Sequence, residues 1–100
     1  MWEAFDWDES NRNHVAEHGV TPEEAEQAVS NDPFELPVQY RNREQRFPLI
    51  GQTDAGRVLF VVTAWRGKKI RVVTAFPANK KYRDLYEQQE EASAGGSEDP

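Results

Sequence analysis

The chain has no cysteine among its 100 residues, which excludes disulfides and every thiolate-based chemistry. No apolar run approaches the ~20 residues that a membrane-spanning helix needs. The N-terminus, MWEAFDWDESN, is acidic and aromatic, unlike a basic, apolar-cored leader or a transit segment. These absences lead us to expect a cytoplasmic chain that uses no membrane. Histidine is scarce: His14 and His18 are the only two. They fall in His14-Val15-Ala16-Glu17-His18, which spells the inverted zinc-protease pattern H-x-x-E-H. Catalytic zinc takes three protein ligands and an open position, and the chain has no third histidine to supply. The expectation is therefore no metal and no small-molecule cofactor, with His14 packed toward the core and His18 bonded to the last carbonyls of its helix.

Basic charge is the minority, 12 residues against 18 acids for a net −6, yet it is concentrated. Residues 1–40 sum to −9, residues 41–83 to +9 and residues 84–100 to −6. The densest stretch, 66–83, holds seven bases and no acid: Arg66, Lys68, Lys69, Arg71, Lys80, Lys81 and Arg83. A basic block inside an acidic chain is the electrostatic footprint of a polyanion site. The expectation is that folding gathers these cations on one water-facing patch of a sheet and its adjoining helix. The competing reading is that the acidic flanks fold against the block and neutralise it.

The pattern along the chain describes one domain. FDWD at 5–8 reads as a short strand or an ordered arm, and Asp8 or Ser10 can cap a helix through His18 whose inner side holds Asn11, His14, Val15 and His18. Thr21-Pro22-Glu23-Glu24 is a capping box with proline at the first helical position. The helix it starts turns Ala25, Ala28 and Val29 inward and stops by Pro33. FELPVQYR contains Pro37 and reads as an edge or irregular strand. REQRFPLIG sets Glu44 and Arg46 on one face and Phe47 and Leu49 on the other. RVLFVVTAW, with an apolar face of Val58, Phe60, Val62 and Ala64, is followed by a tight turn at Gly67. KIRVVTAF returns with Ile70 and Val72 inward and Lys69 and Arg71 outward, and strict alternation puts Thr74 on the inner side. Asn79 caps a last helix with a stripe of Tyr82, Leu85 and Tyr86. The fold class is α+β: two N-terminal helices, a three- to four-stranded antiparallel sheet and a C-terminal helix. The helices cover one sheet face and the other stays polar. The domain spans residues 1–91, and residues 92–100 read as a disordered acidic tail.

The pieces FDWDESN, EHGVTPEEA, NDPFE, REQRFPLIG, GRVLFVV, RGKKIRVVTA and RDLYE, taken in this order over residues 5–87, resemble the BrnT family of bacterial type II toxins. The resemblance implies a RelE-like fold and a metal-independent endoribonuclease that cuts RNA to inhibit translation. It implies as partners RNA and a cognate DNA-binding antitoxin protein that is BrnA-like. Glu44 and Arg46 fall in the family's acidic–x–Arg element and Arg71 on the Arg of its last strand. The run Thr74-Ala75-Phe76-Pro77 is similar to the last-strand ending of other small toxin ribonucleases, which adds Thr74. Two positions depart from the pattern: the family usually has Arg where this chain has Phe76, and an acid where it has Tyr82.

Cleaving RNA without metal uses the 2′-hydroxyl as nucleophile. It needs a proton acceptor, a proton donor to the 5′-oxygen, and positive charge on the phosphorane. Arg46, Arg66 and Arg71 suit the last task, since a guanidinium matches two phosphate oxygens. Glu44 serves as base or orients Arg46. The orienting role ranks ahead, because a carboxylate beside a guanidinium is the poorer base. Lys80 and Lys81, at the start of the last helix, can hold phosphate or shuttle a proton. Trp65 can stack a base, and Lys68, Lys69 and Arg83 can hold the backbone. Structural alternatives stand beside these: Arg71 pairing with an acid of the chain, Trp65 packing a strand end, Lys68 and Lys69 guarding a hairpin. At the level of function the alternative is a catalytically impaired RelE-like protein that only associates with a DNA-binding antitoxin, and Phe76 and Tyr82 favour it.

Overall fold

Both N-terminal helices begin at their capping residues. In the computed structural model, which describes residues 4–96 and side chains as far as Glu91, α1 spans Glu9–Glu17 and α2 spans Pro22–Ser30. Asp8 accepts from the Asn11 backbone N–H at 2.9 Å while its own N–H donates to the Asn11 side chain at 2.8 Å. Thr21 and Glu24 close the same reciprocal box on α2. Each box satisfies two backbone donors that a helix start leaves open. Asn11 is buried, and its amide nitrogen also donates to the carbonyls of Asp6 and Val72. One side chain thus both helps start α1 and fastens it to the sheet.

The strands are β1 (Phe34–Glu35), β2 (Gln39–Arg41), β3 (Glu44–Gln52), β4 (Val58–Arg66) and β5 (Lys69–Pro77). The sheet runs β1-β3-β4-β5, with β2 also paired to β3 and every pair antiparallel. β1 meets Leu49 and Ile50 while β2 meets Glu44 to Arg46, so the two are pieces of one edge. The break contains Pro37, which cannot donate to a ladder. The sheet is therefore four positions wide with its first edge split. β2 turns into β3 through Asn42 and Arg43, both at positive φ, the backbone that a two-residue hairpin turn requires.

Along the outer edge of β5 the chain's own N-terminal arm takes the place of a further strand. Asp6 donates to the Ile70 carbonyl, Ile70 donates to Ala4, and Phe5 bridges Ile70 in parallel. The FDWD stretch is thus an ordered arm, anchored further by Trp7 donating to Glu26 at 2.7 Å.

Helices lie on both faces of the sheet, not on one. Val15, Val20, Ala25, Ala28 and Val29 from the first half of the chain pack with Leu49, Leu59, Val61, Val72 and Ala75. Gly51 lets α2 press onto β3: a Cβ there would run into the backbone of Ala28. On the opposite face α3 (Lys80–Gly96) covers Ile50 and Phe60 with Tyr82, Leu85 and Tyr86. The physical reason is that β4 is apolar at both parities over Val58–Val62. Each side has something to bury, worth roughly 1.5–3 kcal/mol per large side chain fully removed from water.

One further expectation is corrected. His14 is exposed rather than packed inward; among the described residues of α1, Asn11 and Val15 alone face the core. α3 extends to Gly96, through the helix-forming sequence Glu90-Glu91-Ala92. Residues 97–100 lie outside the described residues.

Candidate functional site

β5 does not alternate strictly. Val62 pairs with Thr74 but Thr63 pairs with Val72, so Val73 is an extra residue bulged out of the ladder. A bulge inverts the parity of everything beyond it. Val72 keeps its inward side, while Thr74 and Phe76 turn to the face of Val62 and Phe60. Thr74 is thus brought to the open face, against the expectation from alternation.

That face can be read row by row from the register. Ile50, Phe60 and Phe76 form one row, and Pro48, Val62 and Thr74 the next. Continuing the β3–β4 pairing by one step sets Arg46 beside Ala64, whose partner on β5 is Arg71. Two arginines therefore flank a small alanine, about 10 Å apart across two strand spacings. The last row holds Glu44, Arg66 and Lys69, with Arg41 opposite Glu44 on β2. Next to the arginine pair is a hollow of about 230 Å³ lined by Gln39, Arg41, Arg46, Val62, Val73 and Thr74. Across the Val73 bulge, between β5 and α1, lies a second hollow of about 500 Å³.

The cations are gathered only in part. Lys69 and Pro77 end β5 on opposite sides, roughly 26 Å apart at strand rise. Arg66, Lys68 and Lys69 sit at the hairpin end with the arginine pair, while Lys80, Lys81 and Arg83 start α3 at the other end. Several are matched by the chain's own acids. Arg46 bonds Glu44 at 2.7 Å, Arg71 bonds Asp8 at 2.9 Å, Arg66 is 3.6 Å from Asp6 and Lys80 bonds Asp84 at 2.8 Å. Arg83 donates to the Ala78 carbonyl, and Lys81 lies 5.9 Å from the Tyr82 ring centre. The expectation of one shared patch is therefore corrected: the acidic N-terminal arm runs along β5 and supplies two of the four carboxylates. Among the described residues Arg41, Arg43, Lys68, Lys69, Lys81 and Arg83 have no carboxylate partner within 4.0 Å.

The pairs differ in kind. Asp8 is an N-cap, and its carboxyl is held below the ordinary aspartate value of 3.8 chiefly by the Asn11 backbone N–H, with Arg71 next. The Arg71 side chain is only 19% exposed, so this pair also ties α1 to β5. Arg46 is oriented by Glu44 alone, two residues away on the same face. The Arg46 side chain is as little exposed, at 20%, but its partner lies on the same strand, so a phosphate that displaces Glu44 breaks no tie between elements.

The description "Ribonuclease toxin, BrnT, of type II toxin-antitoxin system" fits a family whose profile matches residues 7–81, from the arm through the start of α3. The chain belongs to this family. No curated protein matches the chain. As a member of the BrnT family it is a toxin of ribonuclease type whose counterpart is a protein antitoxin.

Phe76 and Tyr82, the two departures from the family pattern, are in contact through one neighbour. Phe60 stacks on Phe76 with ring centres 5.1 Å apart and meets Tyr82 at 4.8 Å. Together they form the aromatic seat on which α3 rests, one row away from Thr74. Trp65 is on the other face of the sheet. It is 51% exposed and lines an apolar groove of about 210 Å³ with Val38, Phe47, Leu49, Thr63 and Ile70. Trp65 thus lies apart from the arginine pair.

Sequence reasoning did not single out Gln39 or Arg41. The readable signal was the turn at Asn42 and Arg43, which fixes Arg41 opposite Glu44 and Gln39 opposite Arg46. Nor did it bring out Asn13, or place Ser10 and Glu17, read there as a cap and as part of a zinc-like motif, beside Arg71 in the second hollow. Among the described residues no three histidine, aspartate or glutamate side chains converge as a metal site, and no helix is long and apolar enough to cross a membrane.

Proposed function

We propose that this BrnT-family chain is a metal-independent endoribonuclease that cuts RNA and so inhibits translation in the cytoplasm, on the open half of the sheet around Arg46, Ala64 and Arg71. The observation that carries the reading is the row in which Arg46 and Arg71 flank a small side chain, Arg46 beside the Thr74 hollow and Arg71 beside the α1 hollow. A phosphate that takes the place of Glu44 and Asp8 between the two would meet both forks, and each can hold two phosphate oxygens. Arg46 and Arg71 stabilise the phosphorane, Glu44 orients Arg46, and the Thr74 hydroxyl donates to a phosphate oxygen. Arg66, Lys68 and Lys69 hold the backbone at the hairpin end. Lys80, Lys81 and Arg83 extend the contact at α3, and Trp65 serves a partner or a base on the far face. The donors are guanidinium, ammonium and hydroxyl groups, which act on phosphate without a bound cation. The antitoxin is a BrnA-like DNA-binding protein that presents acids to the arginine row.

A second reading has one observation in its favour. The Phe60–Phe76–Tyr82 stack occupies positions where the family resemblance implies a cation and an acid, as expected for a domain that binds RNA or its antitoxin without cutting. Purified chain incubated with a defined RNA in the presence of EDTA separates the two. Fragments ending in 2′,3′-cyclic phosphate bear out the enzyme; intact RNA with folded, soluble protein bears out the binding domain.

A further inference from the structure

We infer that His14 is a catalytic residue, the proton donor to the departing 5′-oxygen; this rests on the ribonuclease reading above. The Val73 bulge separates two hollows and lines both. The inner one offers arginines, an amide and a hydroxyl, none of which releases a proton readily at neutral pH. The outer one is lined by Ser10, Asn13, His14, Glu17 and Arg71. An RNA strand with a phosphate between Arg46 and Arg71 that continues over the bulge enters this outer hollow, and His14 is there. Histidine is the side chain whose charge changes near neutrality, and the chain has only two. The other, His18, has its ring against Phe76 at 5.8 Å, on the aromatic side.

The surroundings suit the task. His14 is exposed, and among the described residues its ring makes no hydrogen bond, only an edge contact with the His18 ring at 5.3 Å between centres. The charged groups facing it are Glu17 and His18 from α1 and Arg71 from β5, the last held by Asp8.

The step balances. The 2′-oxygen attacks phosphorus and its proton passes to water, while the P–O5′ bond breaks. The 5′-oxygen takes the imidazolium proton, leaving a 2′,3′-cyclic phosphate and a 5′-hydroxyl. The proton released to water restores His14. No water is consumed and no oxidation occurs.

The test compares wild type with His14→Gln and His14→Asn in single-turnover cleavage of an RNA with one cleavable ribonucleotide, across pH. A second substrate carries a bridging 5′-sulfur at the same bond, whose thiolate departs without a proton. The expected result is a loss of ~100-fold or more on the oxygen substrate, disappearance of the high-pH falling limb, and recovery to near the wild-type rate on the sulfur substrate. Melting temperatures should match wild type, since His14 is exposed. Wild-type rates in both variants would remove His14 from the reaction and leave the ribonuclease reading standing. Equal losses on both substrates would show that it positions rather than donates, which overturns the inference. A wild-type chain that cuts neither substrate would end both the ribonuclease reading and this one.

Discussion

One face of the sheet carries two different surfaces built from the same three strands. Toward α3, the row Ile50, Phe60 and Phe76 is apolar and covered by Tyr82, Leu85 and Tyr86. Two rows away, toward the hairpin, the same strands present Arg46 and Arg71, each about one-fifth exposed, on either side of a buried Ala64. The boundary is the row of Pro48, Val62 and Thr74. The difference is set by where α3 starts. The chain leaves β5 at Pro77, and α3 lies back over the rows nearest that exit. Burial rewards aromatic side chains there and leaves the far rows free to carry charge, which water or a polyanion can satisfy.

Substitutions in each half break this comparison in different ways. The largest effect is expected from Phe60→Ala. Phe60 joins Phe76 to Tyr82, so its loss should lower stability by about 3 kcal/mol, read as a lower denaturant midpoint, with RNA cleavage kept at temperatures where the variant is folded. Next comes Arg46→Ala in the open half. Cleavage should drop by ~100-fold, about 2.7 kcal/mol of transition-state stabilisation, while the melting temperature stays within about 2 °C of wild type.

Arg71→Ala should be intermediate in kind and smaller in stability. It removes a phosphate contact and also the partner of the α1 cap, so the cleavage rate and the melting temperature should fall together. The pH dependence of wild-type stability reports on the same cap. The folded Asp8 carboxyl lies below 3.8, so its contribution is complete above that pH. It is lost as pH falls through the depressed folded value. Glu24, held below 4.5 chiefly by the Thr21 backbone N–H, acts in the same direction for α2. In Arg71→Ala the acid loss should be shallower than in wild type, as measured by thermal melting between pH 5 and 2. The smallest effect belongs to Lys80→Ala with Lys81→Ala, at the far end of β5. RNA affinity should weaken a few-fold with a reduced salt slope, and the single-turnover rate should not change.

Local features were legible in the sequence. The Thr21 capping box, the inner face of α2, the hairpin at Gly67 and the shared parity of Glu44, Arg46, Lys69 and Arg71 all follow from rules acting over a few residues. What escaped depends on distance or on one irregular residue. Nothing near Val73 announces a bulge, yet it decides that Thr74 joins the arginines. The Asp8–Arg71 pair links residues 63 apart, so the arm that neutralises half the basic row cannot be read from charge totals. α3 was expected beside the other helices because the apolar run in β4 can be read at either parity; both are used. His14 was assigned inward on helical spacing, although Asn11 fills that place through its bonds to Asp6 and Val72.

The most direct test of the open half as the RNA surface is an NMR chemical-shift map of the chain with a 2′-deoxy-substituted RNA oligonucleotide, which binds and cannot be cut. The account predicts the largest shifts at Arg41, Arg46, Arg71 and Thr74, with the Phe60–Tyr82 seat nearly unmoved. Shifts confined to the Trp65 groove, with the arginine row silent, would contradict it.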